Sequence, residues 1–567
     1  MFENKKVKNG VIFGAIVVVL AIVVTVGVSV TKNLGKTNSA ISADEAKSSI
    51  AKMLGHIQVE DLPLRAEALN VNESLSTAEE LPDIDTVYPI GVQGGGQVTI
   101  EIFTSPEKGG PGMDRWLLDV AEAFNKANHT TSSGATASVT VRSVDSGTAV
   151  EYISSGKYVP DAFTPSSTLW GAMLETGGVS IKLKSDRLAG NVAGILLTEE
   201  MESHLIEQYG SADFSTVVQA TADGEMMMGY TNPYASSTGL NFLLNTLYTG
   251  DPENPLSSKA VGQFNKFQAN VPLVAFTTMQ MRTAAESNVL DGLILEYQSY
   301  INDSTLAREY KFIPFGVRHD NPLYAVGNLS AEKEEVLDQF IAECGSKQSQ
   351  ELATKYGFNS NEDYQSTLPQ PGGQTITQAQ SIWKENKDGD MPIVALFIVD
   401  ISGSMSGEPI NNLRMALLNS MQYINDDNYI GLISFSSDVY RDLPIEKFNL
   451  KQKTCFKGAV NNLTVGGQTA MYDALTVGMD MVEKKLDEVG NAKPMIFVLT
   501  DGESNNGYRY RDVGGIVAGL KIPVYTISYN YSNAQLDELA AINEAASISG
   551  TSEDIVYKLR NLFNAQI

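Results

Sequence analysis

Residues 392–405 read Pro392-Ile-Val-Ala-Leu-Phe-Ile-Val-Asp400-Ile-Ser402-Gly-Ser404-Met405. An unbroken apolar run of this length, ending in a polar turn, predicts a strand buried on both faces, as in a parallel α/β sheet. The turn carries one carboxylate and two hydroxyls at alternate positions, Asp400, Ser402 and Ser404, so three oxygen donors fall on one side of it. Two more donors occur downstream in matching places. Thr469 follows Gly466-Gly467-Gln468 just before a helical segment, and Asp501 closes a second apolar run, Pro494-Met-Ile-Phe-Val-Leu-Thr500. Asp400 and Asp501 are therefore expected at the carboxyl ends of strands, where an open α/β sheet places its ligands. Hard oxygen donors of this kind suit Mg²⁺ or Mn²⁺. For each donor alone, the plain alternative is a capped turn, since Ser and Asp are common there.

Taken together, Asp400, Ser402, Ser404, Thr469 and Asp501 resemble the metal-ion-dependent adhesion site of von Willebrand factor type A domains, whose pattern is Asp-x-Ser-x-Ser, then Thr, then Asp. The resemblance covers residues 391–567. It implies a Rossmann-like domain, one bound divalent cation, and an open coordination position filled by an acidic residue of a partner. Catalytic rivals fit less well. A haloacid-dehalogenase-like site would place a second Asp where Ser402 stands. A P-loop would need Gly-Lys-Ser/Thr, which is absent at Gly403. The last third of the chain contains no His, so a Ser-His-Asp triad cannot be assembled there. The expectation is a binding protein and not an enzyme.

The whole chain, 567 residues with a formal net charge of −26, has room for two or three domains and is a poor match for nucleic acid. Its two cysteines, Cys344 and Cys455, fall in different expected domains and are read as unpaired core thiols. Residues 11–30 form an uncharged apolar run of membrane-spanning length, preceded by Lys5, Lys6 and Lys8. The run is longer than the apolar core of a cleaved leader, and Val28-Ser29-Val30 is a poor cleavage site. This predicts a cytoplasmic tail (1–10), a single-pass cell-membrane anchor (11–30) and an extracellular globular part. Residues 31–96 read as a stalk and spacer with helical composition at 43–54 and a flexible joint at Gly94-Gly95-Gly96.

From Gln97 the pattern alternates between strands and helices, with strands expected at 98–103, 137–142, 161–163, 226–230, 292–295 and 312–315. The segment Thr231-Asn-Pro-Tyr-Ala-Ser236-Ser237-Thr238-Gly-Leu240 and the later Asp291-Gly-Leu-Ile-Leu-Glu296-Tyr297 resemble the cleft-lining segments of bacterial extracellular solute-binding proteins. The resemblance covers about residues 97–358 and implies a two-lobed periplasmic-binding-protein-like α/β domain around a ligand cleft. Ser105, Ser166, Ser167, Ser236, Ser237 and Thr238 each precede or open a helix after a strand, a position that favours an anionic group. Each alone is also an ordinary N-cap. Glu296, if it faces the cleft, opposes a purely anionic ligand, so the charge class of the solute stays open. The four histidines lack metal-ligand spacing, and Trp116 and Trp170 read as core. Residues 359–390, with Gln370-Pro-Gly-Gly-Gln374, read as an interdomain linker.

Two functions follow. One is a surface-anchored binding or adhesion protein that engages a protein or cell-wall partner through the metal site. The other is a solute receptor that delivers a small ligand to a transporter or senses it.

Overall fold

The computed structural model describes residues 41–69, 75–271, 273–275, 281–282, 290–389, 391–529, 534–543, 545, 547–551 and 554–567. The apolar run at 11–30 lies outside them. Among the described residues no helix is long and apolar enough to cross a membrane. The chain divides into two units, one made of residues 1–68, 393–411 and 428–552, the other of residues 69–392, 412–427 and 553–567.

The first unit holds a seven-stranded sheet in the order Val59–Asp61, Val439–Lys447, Tyr429–Phe435, Ile393–Asp400, Lys493–Thr500, Val524–Tyr529, Ser547–Gly550. Ile393–Asp400 is central and every residue in it is buried, which is why its sequence is apolar without alternation. It pairs in parallel with both neighbours, with Val399 opposite Ser434 on one side and Leu499 on the other. This register levels the strand ends that carry Asp400 and Asp501. Helix Met471–Val489 packs on the sheet through a glycine: a Cβ at Gly478 would lie 2.7 Å from Ile398 Cδ1.

Part of this unit comes from the stretch read above as a spacer. Helix Ala43–Leu54 starts with a Ser42–Glu45 capping box and buries Ala46, Ile50 and Met53 in the same apolar cluster as Ile516 and Val517. Val59–Asp61 then adds a parallel edge strand beside Val439–Arg441. An edge strand is held mainly by backbone hydrogen bonds, so a three-residue one leaves little side-chain pattern to read.

The second unit contains two sheets, as the two-lobed expectation requires. One has six strands in the order Ile90–Val92, Ala137–Ser143, Val98–Thr104, Ala162–Thr164, Leu323–Val326, Ile181–Ser185. The other has five, in the order Tyr310–Arg318, Val192–Thr198, Gly292–Glu296, Met228–Thr231, Leu273–Ala275. The chain passes from the first lobe to the second between Ser185 and Val192, and returns between Arg318 and Leu323. The glycines expected to form a loose joint are pinned: the amides of Gly94, Gly95 and Gly96 donate to Thr140 Oγ1 and Ser138 Oγ at 3.0, 3.1 and 2.8 Å.

Three further segments complete this unit. The expected linker contains helix Gly373–Asn386, whose Ile376, Ala379 and Trp383 are fully buried. Trp383 Nε1 donates to Tyr230 Oη at 2.6 Å. The 376/379/383 spacing is a helical stripe that the flanking Gly and Gln residues obscure. Helix Ile555–Gln566, read as the end of the last domain, packs here as well. Its Arg560 is buried between Glu80 (3.0 Å) and Glu151 (2.6 Å), and Tyr557 Oη lies 2.6 Å from Thr148 Oγ1. Residues 412–427 reach the same carboxylate, with Tyr423 Oη donating to Glu80 Oε1 at 2.7 Å. Both cysteines are buried and free, and burial pushes the Cys344 thiol well up.

Candidate functional site

Two sites stand out, one in each unit. At the first, Asp400 ends the central strand and is fully buried. The Ser402 amide donates to Asp400 Oδ1 at 2.7 Å and Thr500 Oγ1 donates to Oδ2 at 2.6 Å. Beyond it, hydroxyls form a chain toward solvent. Ser402 Oγ lies 3.1 Å from Ser404 Oγ, which donates to Asp501 Oδ1 at 2.8 Å. Ser404 is exposed and Asp501 half-buried, so the chain runs from a buried carboxylate to an open rim. Burial raises the Asp400 pKa and the nearby Asp501 adds to the effect, while the Ser402 and Thr500 hydrogen bonds oppose it.

Backbone contacts tie the three loops together. Gly466 N–H donates to Ile401 O at 2.8 Å and Gly403 N–H donates to Gly467 O at 3.2 Å. Gly467 has φ +87°, a conformation that costs glycine little and permits this approach. Thr469, 5% exposed, is fixed at both ends of its peptide: its amide donates to Asn505 Oδ1 at 3.0 Å, and its carbonyl accepts from Asn505 N–H at 3.0 Å. The structure thus gathers the loops that carry Asp400, Ser402, Ser404, Thr469 and Asp501. Sequence reasoning missed Thr500 and Asn505. Thr500 lies one residue before Asp501 in a strand that ends level with Asp400, which is the signal that could have found it.

The second site lies between the lobes of the other unit, and all seven residues singled out there are buried. They divide into two kinds. Ser236 and Ser237 are engaged within the protein: Ser236 Oγ accepts from Thr231 Oγ1 at 2.9 Å, and Ser237 Oγ accepts from Trp170 Nε1 at 2.7 Å. The latter bond joins the two lobes, as does Gln298 Nε2 to Asp114 Oδ1 at 2.8 Å. Ser105 and Ser166 are 3.0 Å apart and belong to a cluster that the sequence did not reveal. Lys108, fully buried, donates to Ser105 Oγ (2.8 Å), Thr164 O (2.8 Å) and Pro165 O (3.3 Å). Burial pulls its ammonium down to about 7. Ser167 Oγ and Thr238 Oγ1, by contrast, have no hydrogen-bond partner among the described residues, and neither does Thr164 Oγ1.

Glu296 faces this cluster from the other lobe. It accepts from His319 Nδ1 at 2.9 Å and from Asn191 Nδ2 at 2.5 Å. Glu107 is raised to about 7, first by burial and then by the proximity of Glu296; burial raises Asp145, at the start of helix Ser146–Ser155, to about 6. Lys108, Glu107 and Asp145 were missed because each is a single residue in an unremarkable turn, and only Lys108 has a spacing clue, three residues after Ser105.

Comparison with known proteins agrees with both halves. Residues 396–566 match the family model for the von Willebrand factor type A domain, and residues 109–359 match that for bacterial extracellular solute-binding proteins. The chain carries one domain of each kind. The first match runs past Ser552, where the first unit ends, to include the last helix, which packs in the second unit.

An uncharacterized protein of Synechocystis sp. is 26% identical over 185 residues, 32% of this chain and 43% of that protein. Mouse inter-alpha-trypsin inhibitor heavy chain H3 is 31% identical over 170 residues, 27% of this chain and 19% of that one. The match thus spans less than half the length of either relative. Among solved structures, iron-bound HitA from Pseudomonas aeruginosa aligns with 52% of this chain and 100% of its own at 12% identity and a TM-score of 0.38. A von Willebrand factor type A protein from Catenulispora acidiphila aligns with 31% of this chain and 41% of its own at 17% identity and a TM-score of 0.27.

Proposed function

We propose that the chain is a membrane-anchored, cell-surface binding protein whose first unit engages an acidic residue of a protein or cell-wall partner through one Mg²⁺ or Mn²⁺ held by Asp400, Ser402, Ser404, Thr469 and Asp501. The observation that supports this most directly is the spacing of the oxygens. Neighbouring ligands of an octahedral Mg²⁺, with bonds of about 2.0–2.1 Å, stand about 3 Å apart. Ser402 Oγ, Ser404 Oγ and Asp501 Oδ1 are spaced at 3.1 and 2.8 Å. The donor chemistry also fits. Two carboxylates offset a dication's charge, and a cation beside Asp400 would oppose the burial that raises its pKa. When bound, the cation supplies an electrophilic position that a partner carboxylate can occupy. Asp400 contributes buried charge, the serine hydroxyls contribute neutral oxygens, and the exposed Ser404 edge is where a partner would approach.

Calorimetric titration of the full chain with Mg²⁺ and Mn²⁺ tests the reading. Wild type should bind one ion, and Asp400→Ala should bind it upwards of 100-fold more weakly. Unchanged binding in the variant would refute the assignment, and partner capture insensitive to chelator would refute the adhesion mechanism.

The second unit, on this reading, binds a small solute. The unpartnered hydroxyls of Ser167 and Thr238 favour it, because a buried polar group without a partner costs stability unless something else satisfies it. The alternative that the whole chain is a solute receptor for a transporter or sensor rests on the same hydroxyls. Residues 11–30 provide the anchor, with the globular part outside. Protease added to intact cells should then leave a membrane-bound stub, and full protection of the chain would overturn that topology.

A further inference from the structure

The cleft of the second unit contains more acid than its resemblance would suggest. Three acidic side chains, Glu107, Asp145 and Glu296, gather around it against one fully buried ammonium, that of Lys108, which offsets part of their charge. Lys108 directs its ammonium to Ser105 Oγ, Thr164 O and Pro165 O, all in its own lobe. Arg282 is paired with Asp114 at 3.2 Å. His319 does not balance Glu296 either. Asn241 is oriented by its two bonds to the Val317 peptide, so its Nδ2 faces His319 Nε2 at 3.2 Å. That nitrogen must accept, which leaves Nδ1 to carry the hydrogen donated to Glu296. Buried acidic groups of this kind call for a counter-charge.

Independent of the acids, three buried hydroxyls lack partners among the described residues: Thr164 Oγ1 and Ser167 Oγ in one lobe, Thr238 Oγ1 in the other. All three residues are at most 1% exposed. Ser167 follows Ser166, which bonds Ser105 beside Lys108. Thr238 follows Ser237, which receives the inter-lobe bond from Trp170. A hydroxyl can accept from an N–H group and donate to an oxygen. Each oxygen of Glu296 accepts one N–H bond, which fixes the carboxylate in place and leaves a lone pair on each oxygen.

We propose that the cleft takes a small organic ammonium compound and not an oxyanion, with the hydroxyls of Thr164, Ser167 and Thr238 accepting its N–H groups and Glu107, Asp145 and Glu296 offsetting its charge. This rests on the reading of the second unit as a solute-binding module and adds the charge class of the solute.

The test is thermal unfolding of the full chain with two probe sets at matched ionic strength: ethanolamine, putrescine and glucosamine against sulfate, phosphate and molybdate, with Ca²⁺ as a metal control read in Asp400→Ala. The expected result is an upward shift of the unfolding midpoint with at least one ammonium probe and none with the oxyanions. Glu296→Gln should weaken that probe about 30-fold or more, as expected when one member of a buried charge pair is neutralised. Because Glu296 also holds His319 and Asn191, Glu107→Gln serves as the second variant and should weaken the same probe without loss of fold. A shift with an oxyanion would overturn the charge class while leaving a working solute cleft. A Ca²⁺ shift without an ammonium shift would overturn it in favour of a metal. An ammonium shift unchanged in both variants would remove the carboxylates from the site. No shift with any probe would overturn this proposal together with the solute-binding reading.

Discussion

The two sites satisfy their polar groups in opposite ways. At the sheet edge of the first unit, the hydroxyls and carboxylates bond one another in a chain from buried Asp400 to exposed Ser404. In the cleft of the second unit, Lys108 and Glu296 are engaged while Thr164, Ser167 and Thr238 are left with unused hydroxyls. A site whose donors bond each other can be stable without a ligand and open to the surface. One with buried, unpartnered hydroxyls carries a penalty that a bound ligand would relieve. The first arrangement suits a partner that comes and goes at a rim, the second a molecule enclosed between lobes.

The largest expected effect breaks the first site. Asp400→Ala removes one of the two carboxylates proposed to hold a dication, and loss of a buried charge partner costs about 3–5 kcal/mol, upwards of 100-fold in affinity. Ser402→Ala should cost only about tenfold, since a water can replace a neutral oxygen. Calorimetry with Mn²⁺ on both variants measures the ratio. If Ser402→Ala were as damaging as Asp400→Ala, charge would not be what holds the ion.

Next in size is a comparison of two buried aspartates in one sheet. Asp442, on strand Val439–Lys447, has its Oδ2 unpartnered among the described residues, and burial raises its pKa to about 7. An acid whose pKa is raised on folding binds its proton more tightly in the folded chain. Its contribution to stability is therefore full below its ordinary value of 3.8 and lost as pH rises through about 7. Asp442→Asn should remove that loss and stabilise the chain by about 2 kcal/mol at pH 8 relative to pH 5. Asp400 carries the same sign, since its pKa is also raised, so metal-free protein should lose stability as pH climbs above the ordinary carboxylate range. Mg²⁺ should reverse that part alone. Denaturant titrations at several pH values, with and without Mg²⁺, separate the two aspartates.

What the sequence disclosed follows the same division. Two of the three loops gathered at the first site were legible because they end strands whose apolar runs are unmistakable, and the third because Gly466-Gly467 precedes Thr469 just before a helix. The two-lobed plan was legible from alternating strands and helices. The spacer and linker readings failed for a physical reason: Val59–Asp61 is a short edge strand, and helix Gly373–Asn386 hides its buried stripe among polar residues. The last helix could not be placed from sequence, because its amphipathic pattern says that it packs and not on what. In the cleft, no local motif announces Glu107, Lys108 and Asp145; folding brings them together from separate turns.

The smallest effect is the most diagnostic of the contrast. Thr238 opens helix Ser237–Gly250, is 1% exposed, and has an unpartnered hydroxyl. Thr238→Val exchanges that hydroxyl for a methyl of nearly the same shape. If the hydroxyl serves only a ligand, the ligand-free chain should gain about 1 kcal/mol, since burying an unpaired polar group costs about 1–3 kcal/mol and valine relieves it. The variant should also lose the stabilisation an ammonium probe gives wild type. Ser236→Ala provides the contrast: its hydroxyl accepts from Thr231 and caps the same helix, so its loss should cost about 1 kcal/mol whether or not a ligand is present. Urea unfolding of the two variants gives opposite signs if the open hydroxyl is kept for a ligand, and the same sign if Thr238 is merely structural.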